Sequence, residues 1–155
     1  MVKYFLIIIF IVFVGCSSSK PDYEVNLFSE TNPVIKMTKT NCFGRCPVYD
    51  LEIKGNGDVV LTGRENIDKI GEYKLRIDKS EIVRLLSKID EVDFWGMKDE
   101  YDGRVTDLPS TYISVNYNGK SKKIKSRYNS PKELDELEGI LSAYLERFGW
   151  IEIKN

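Results

Sequence analysis

From residue 34 onward the apolar positions fall into two periods, and the change between them divides the chain into strands and helices. Residues 34–40 predict a first strand. Tyr49, Leu51 and Ile53 then alternate with Asp50, Glu52 and Lys54, the period-two pattern of a strand with one buried face. Asn56-Gly57 follows, a dipeptide suited to positive φ in a two-residue type I′ turn, and residues 58–63 return as the partner strand. Tyr73, Leu75 and Ile77 against Glu72, Lys74 and Arg76 mark a fourth strand. The period then changes. Ile82, Leu85, Leu86, Ile89 and Val92 recur at three and four, one stripe of an amphipathic helix. Asp78 and Glu81 have the spacing of a capping box at its start, and Phe94 and Trp95 are expected to close it against the core.

Residues 99–110 are polar and aperiodic and predict a loop. Thr111, Ile113, Val115 and Tyr117 alternate, Asn118-Gly119 turns, and residues 120–127 return as a second hairpin. Ser130-Pro131-Lys132-Glu133 then has the order of cap, Pro at the first helical position and reciprocal Glu. Leu134, Leu137, Leu141, Tyr144, Leu145 and Phe148 line one face of the helix that follows, with Gly149 as its stop. The order is ββββαββα, and strands adjacent in sequence favour antiparallel pairing. The expected domain, residues 33–155, is therefore α+β: two layers, a mainly antiparallel sheet with both helices on one face. Each half repeats an Asn-Gly hairpin, a returning strand and a capped helix, an order compatible with a duplication.

The first fifteen residues follow neither period. Lys3 precedes twelve uncharged, mostly apolar residues from Tyr4 to Gly15. A bilayer span needs about 18 or more such residues, so this run fits a signal peptide over residues 1–15. It closes on Phe13-Val14-Gly15-Cys16 and three serines. A small residue directly before Cys at the end of such a run resembles the lipobox of bacterial lipoproteins. The resemblance implies cleavage before Cys16, lipid on Cys16, and residues 16–32 as a tether to the membrane. It places the protein in the bacterial cell envelope, and Ser17 after the Cys is compatible with outer-membrane sorting. A conventionally cleaved secreted chain and an uncleaved anchor are the alternatives.

Composition narrows the chemistry. Without residues 1–15 the chain has 140 residues, enough for one real core, and 22 basic against 24 acidic residues. No basic tail or recognition helix points to nucleic acid. The chain contains no His, which removes Ser-His-Asp and Cys-His triads and His-based zinc sites. There is no Gly-rich phosphate loop, and Ser110 and Ser130 have no base for a hydrolase. No catalytic residue, metal or cofactor is assigned.

Once Cys16 is committed to lipid, Cys42 and Cys46 form an even pair, and outside the cytoplasm such a pair tends to be oxidised. Gly44 is expected to supply permissive backbone inside the small ring, and Pro47 to fix the exit into the next strand. Two alternatives stay open. A redox-active pair should be exposed and readily reduced, although efficient exchange motifs have two intervening residues at a helix start. A metal would need two further soft ligands, and the chain has no other Cys or His to give. A structural staple should be buried. The segment Cys42-Phe43-Gly44-Arg45-Cys46-Pro47-Val48-Tyr49 also resembles the Cys-x-Gly-x-Cys-Pro-x-Tyr signature of an uncharacterised domain family of bacterial envelope lipoproteins. In that family a strand and an Asx-Gly hairpin follow, and a later Asp-x-Pro element is similar to Asp107-Leu108-Pro109. The resemblance covers roughly residues 34–126 and implies the fold unit and the location, with no activity attached.

Two charged segments remain. Asp99, Glu100, Asp102 and Asp107 concentrate four carboxylates in nine residues. A solvated loop, a cation site built on Asp99, Asp102 and Asp107, and a His-independent carboxylate hydrolase are the readings; the EF-hand spacing fails. The hydrolase requires at least two carboxylates converging in a cleft, one with a raised pKa. Lys120, Lys122, Lys123, Lys125 and Arg127 make a basic strand. It is expected either to protect a sheet edge or to dock anionic lipid, polysaccharide or an acidic partner. Phe94, Trp95, Phe148 and Trp150 are expected to close the core. Together these features favour a lipid-anchored extracytoplasmic binding protein whose partner is another envelope component, protein or glycan, met by the sheet face or the basic strand.

Overall fold

A computed structural model describes residues 33–105 and 107–154; the expected signal peptide, Cys16 and the tether lie outside the described residues. The strands are β1 (Pro33–Lys39), β2 (Val48–Lys54), β3 (Asp58–Glu65), β4 (Gly71–Arg76), β5 (Glu100–Tyr101), β6 (Thr111–Tyr117), β7 (Lys120–Ser126) and β8 (Ile151–Glu152). The helices are α1 (Lys79–Glu91) and α2 (Lys132–Ser142), the latter continued by a 3-10 turn, Ala143–Glu146. All described strands join one sheet in the order β5-β7-β6-β1-β2-β3-β4-β8. Every pairing is antiparallel except β5 with β7.

The register explains the layering. Ile35, Met37, Leu51, Ile53, Val59, Leu61, Ile113 and Val115 are cross-strand neighbours on one face, and each is at most 1% exposed. Ile82, Leu86 and Ile89 of α1 and Leu134, Leu137 and Leu141 of α2 complete the same buried cluster. Both helices therefore cover one face, and the domain is a two-layer α+β fold. The opposite face carries Lys36, Thr38, Asp50, Glu52 and Arg64, tied by Lys36–Glu52 at 2.7 Å and Arg64–Asp50 at 2.6 Å. Among the described residues no helix is long and apolar enough to cross a membrane.

The register also defines two ends. Pro33, Lys54, Asp58 and Arg76 lie level at one end, and Lys39, Tyr49, Gly63 and Gly71 lie level at the other. At about 3.3 Å per residue the two rows are about 20 Å apart.

Several local expectations change. The first hairpin turns through Gly55 and Asn56, with Gly57 N–H donating to the Lys54 carbonyl at 3.0 Å and Gly57 alone at φ +95°. This is the longer, bulged connection rather than type I′. The second hairpin does have both central residues at positive φ, Asn118 at 50° and Gly119 at 71°. Neither capping box forms. Glu81 is drawn away to Tyr144 and Arg147, and Ser130 donates to Asp135 while Pro131 occupies the cap position of α2. The predicted face of the second helix ends early, so Phe148 leaves the core and is 98% exposed. Phe94 is fully buried, and Trp95 and Trp150 pack half-buried against the core. The two-residue strands β5 and β8 carry no readable period and arise from pairing alone.

Candidate interaction site

Two loops separated by more than sixty residues in sequence meet at the Lys39–Tyr49 end of the sheet. Thr40 N–H donates to the Ser110 carbonyl at 3.0 Å, and Ser110 N–H returns a bond to Thr40 Oγ1 at 2.9 Å. Ser110 is 1% exposed, and its hydroxyl accepts from Arg127 Nε at 3.0 Å. This reciprocal latch sets the Cys42–Cys46 loop beside Asp107-Leu108-Pro109, and Phe43 N–H completes the contact to the Asp107 carbonyl at 3.4 Å.

Cys42 and Cys46 form a disulfide, with Cα atoms 5.8 Å apart. Asn66 Nδ2 donates to the Cys46 carbonyl at 3.0 Å and ties the loop to the β3–β4 connection. Both cysteines are half-buried rather than buried as a staple was expected to be. Gly44 is not required by its backbone: its φ is not positive, and a Cβ there would meet only Cys42 Sγ at 3.8 Å. The ring instead lifts its tip outward. Phe43 is 92% exposed, Leu108 is 41% exposed, and Arg45 is exposed beside them.

Behind this tip lies a cavity of about 330 Å³ between the helix-covered side of the sheet and the end of α2, lined by Pro47, Tyr49, Asn66, Ile67, Ser142 and Leu145 among others. Tyr49 donates its hydroxyl to Ser142 Oγ at 3.2 Å, and burial pushes its pKa up. The β3–β4 connection folds across Gly63 so closely that a Cβ would drive into the Lys69 carbonyl. Lys69 Nζ then reaches the Leu145 carbonyl at 2.9 Å.

The acidic and basic segments neutralise each other. Strand β5 lies parallel to β7, with Glu100 beside Lys125 and Tyr101 beside Ser126. Lys125 contacts Glu100 at 2.8 Å and Asp102 at 2.5 Å, Arg127 reaches Asp102 at 3.7 Å, and Lys122 reaches Asp99 at 3.4 Å. The hydrogen bond from Lys125, helped by Gly103 N–H, holds the Asp102 carboxyl below its ordinary range. That is the direction opposite to the one a carboxylate hydrolase needs. Lys122 also donates to the Trp95 and Met97 carbonyls, Lys120 sits over the Trp95 ring at 5.6 Å, and Lys123 over the Tyr112 ring at 4.6 Å. The five basic residues are thus divided between the two sheet faces, and β5 pairs only with the Lys125–Ser126 end of β7, leaving Lys120 to Lys123 along the sheet edge. Among the described residues no three acidic or thiol side chains are grouped to hold a metal ion. The Ser126–Ser130–Asp135 chain of hydrogen bonds at 3.0 and 2.7 Å ties β7 to α2.

The fold and this paired-loop end define a small α+β domain with a disulfide-braced apolar tip. The chain belongs to the family described as domain of unknown function (DUF6438), whose model matches residues 33–145. No curated protein matches the chain. Sequence reasoning picked out Cys42, Cys46 and Asp107-Leu108-Pro109 separately but not their contact. It also missed the structural roles of Thr40, Ser110 and Asn66, which hold them together across long sequence gaps that no local period reports.

Proposed function

We propose that this protein is a lipid-anchored component of the bacterial envelope, attached through Cys16, that binds another envelope protein through its disulfide end. The carrying observation is Phe43, 92% exposed on a loop fixed by a disulfide, two backbone–backbone hydrogen bonds and one from the Asn66 side chain. A projecting aromatic on a braced backbone next to Leu108 has the make-up of an interface anchor, because the ordering cost of the loop is already met before a partner arrives. The Cys-x-Gly-x-Cys-Pro-x-Tyr pattern fits this role: the cysteines brace the tip, and Pro47 and Tyr49 line the cavity behind it. The hydrophobic run before Cys16 and the oxidised pair support an extracytoplasmic address.

The test is a photoreactive phenylalanine analogue at position 43 in intact cells, with one at position 123 on the open sheet face as control. A discrete adduct from position 43, lost on adding Leu108→Ser, is the expected result. No adduct, or equal adducts from both positions, would overturn the reading.

A further inference from the structure

We infer that the end of the sheet opposite the disulfide loop docks against the surface of a lipid bilayer, with Phe148 and Ile151 as the inserting side chains. The inference rests on the lipid-anchor reading above.

Phe148 is 98% exposed and Ile151 is 61% exposed. Their exposure is built into the loop. Arg147 is bound to Glu81 and lies over the Tyr144 ring at 5.0 Å, while Trp150 donates Nε1–H to the Tyr144 carbonyl at 3.0 Å. Gly149, at φ +94°, turns the chain between these two fixed points and leaves Phe148 projecting. Ile151 pairs with Lys74 on the edge of the sheet, and the antiparallel register carries Phe148 toward Arg76. Arg76 and Asp58 belong to the same row as Lys54 and Pro33. The described chain therefore starts in the row toward which Phe148 projects, while Ile151, opposite Lys74, lies two residues inside that row, and β2, β3 and β4 separate β1 from β8.

That position brings the bilayer within reach. On the anchor reading, seventeen residues from Cys16 to Asn32 join the lipid to Pro33, a reach of at most about 60 Å. Pro33 enters the sheet in the row at the Phe148 end, and the tether keeps the whole domain at the bilayer at high effective concentration. Aromatic side chains favour the headgroup boundary, and a single lipid-type signal is strengthened by a second contact. Arg76 is paired with Asp58 at 2.5 Å and Arg147 with Glu81, and Lys54 and Lys74 add basic side chains at this end. Docking here combines insertion of the apolar side chains with attraction of the basic ones to anionic headgroups. It also turns the Phe43 tip away from the membrane, toward a partner.

The experiment uses the full acylated chain, labelled at isoleucine methyl groups, in nanodiscs of phosphatidylethanolamine and phosphatidylglycerol containing a gadolinium-chelate lipid. Ile151 and Ile70 are both exposed; Ile151 pairs with Lys74, whereas Ile70 precedes Gly71 in the row at the disulfide end, so they report side by side. The expected result is selective broadening of Ile151, abolished by Phe148→Ser, with Ile70 sharp throughout. Equal broadening of the two, or stronger broadening of Ile70, in an acylated chain overturns the docking alone. A mass spectrum of the same sample showing no acyl groups on Cys16 overturns the anchor reading and this one with it.

Discussion

Replacing both Cys42 and Cys46 by Ser removes the only cross-link among the described residues while leaving the loop's other ties available. Phe43 N–H can still donate to the Asp107 carbonyl and Asn66 to the Cys46 carbonyl, since both are bonds to backbone atoms. The loss therefore falls mainly on the unfolded chain, which regains the freedom of a ring closed by a sequence separation of 4. For a loop of about five residues the chain-entropy relation gives about 7 cal/mol/K, or about 2 kcal/mol at 25 °C. In a domain of this size that lowers the melting temperature by about 5–10 °C. The assay is reversible thermal or urea unfolding of the mature chain and the double variant, with an unchanged urea slope showing that the same structure unfolds. A variant as stable as the parent would refute the entropic constraint. A variant that does not fold would show that the disulfide holds native structure directly.

Other outcomes follow from particular contacts. Gly63→Ala should destabilise by several kcal/mol, on the order expected when a packed backbone is forced apart, because its Cβ meets the Lys69 carbonyl; Gly44→Ala should stay within about 1 kcal/mol of the parent in the same unfolding assay. Burial alone would raise the Glu81 carboxyl, but hydrogen bonds from Arg147 and Tyr144 outweigh it and hold the pKa below 4.5. A depressed carboxylate pKa stabilises the fold above the unfolded value and loses that contribution as pH falls through the folded one. Stability measured from pH 6 downward should thus decline less steeply in Glu81→Gln than in the parent. Lys125→Ala frees Glu100 and Asp102 from their cation, and should change stability by less than about 1 kcal/mol with no effect on cross-linking from position 43.

The layering was legible because it rests on local period: Tyr49, Leu51 and Ile53 on one side of a strand, and Ile82, Leu86 and Ile89 on one stripe of a helix, needed only alternation to be assigned. What stayed hidden depends on tertiary partners. Glu81 has the spacing of a capping residue, but a charged hydrogen bond to Arg147 competes better for its carboxylate than the exposed helix start does. Phe148 continues the apolar stripe of α2, yet the helix tightens after Ser142 and the stripe loses its register with the core. The acidic loop and the basic strand each look like a site until β5 pairs with β7 and brings the opposite charges together. Of the interaction end, the cysteines and the Asp-Leu-Pro element were visible, and the latch through Thr40 and Ser110 was not.

The most direct test of the account is the mass of the detergent-extracted mature protein, measured with and without reductant and thiol alkylation. The predicted result is a chain beginning at an acylated Cys16, with two thiols that alkylate only after reduction. An unacylated chain, or Cys42 and Cys46 alkylating without reductant, would contradict it.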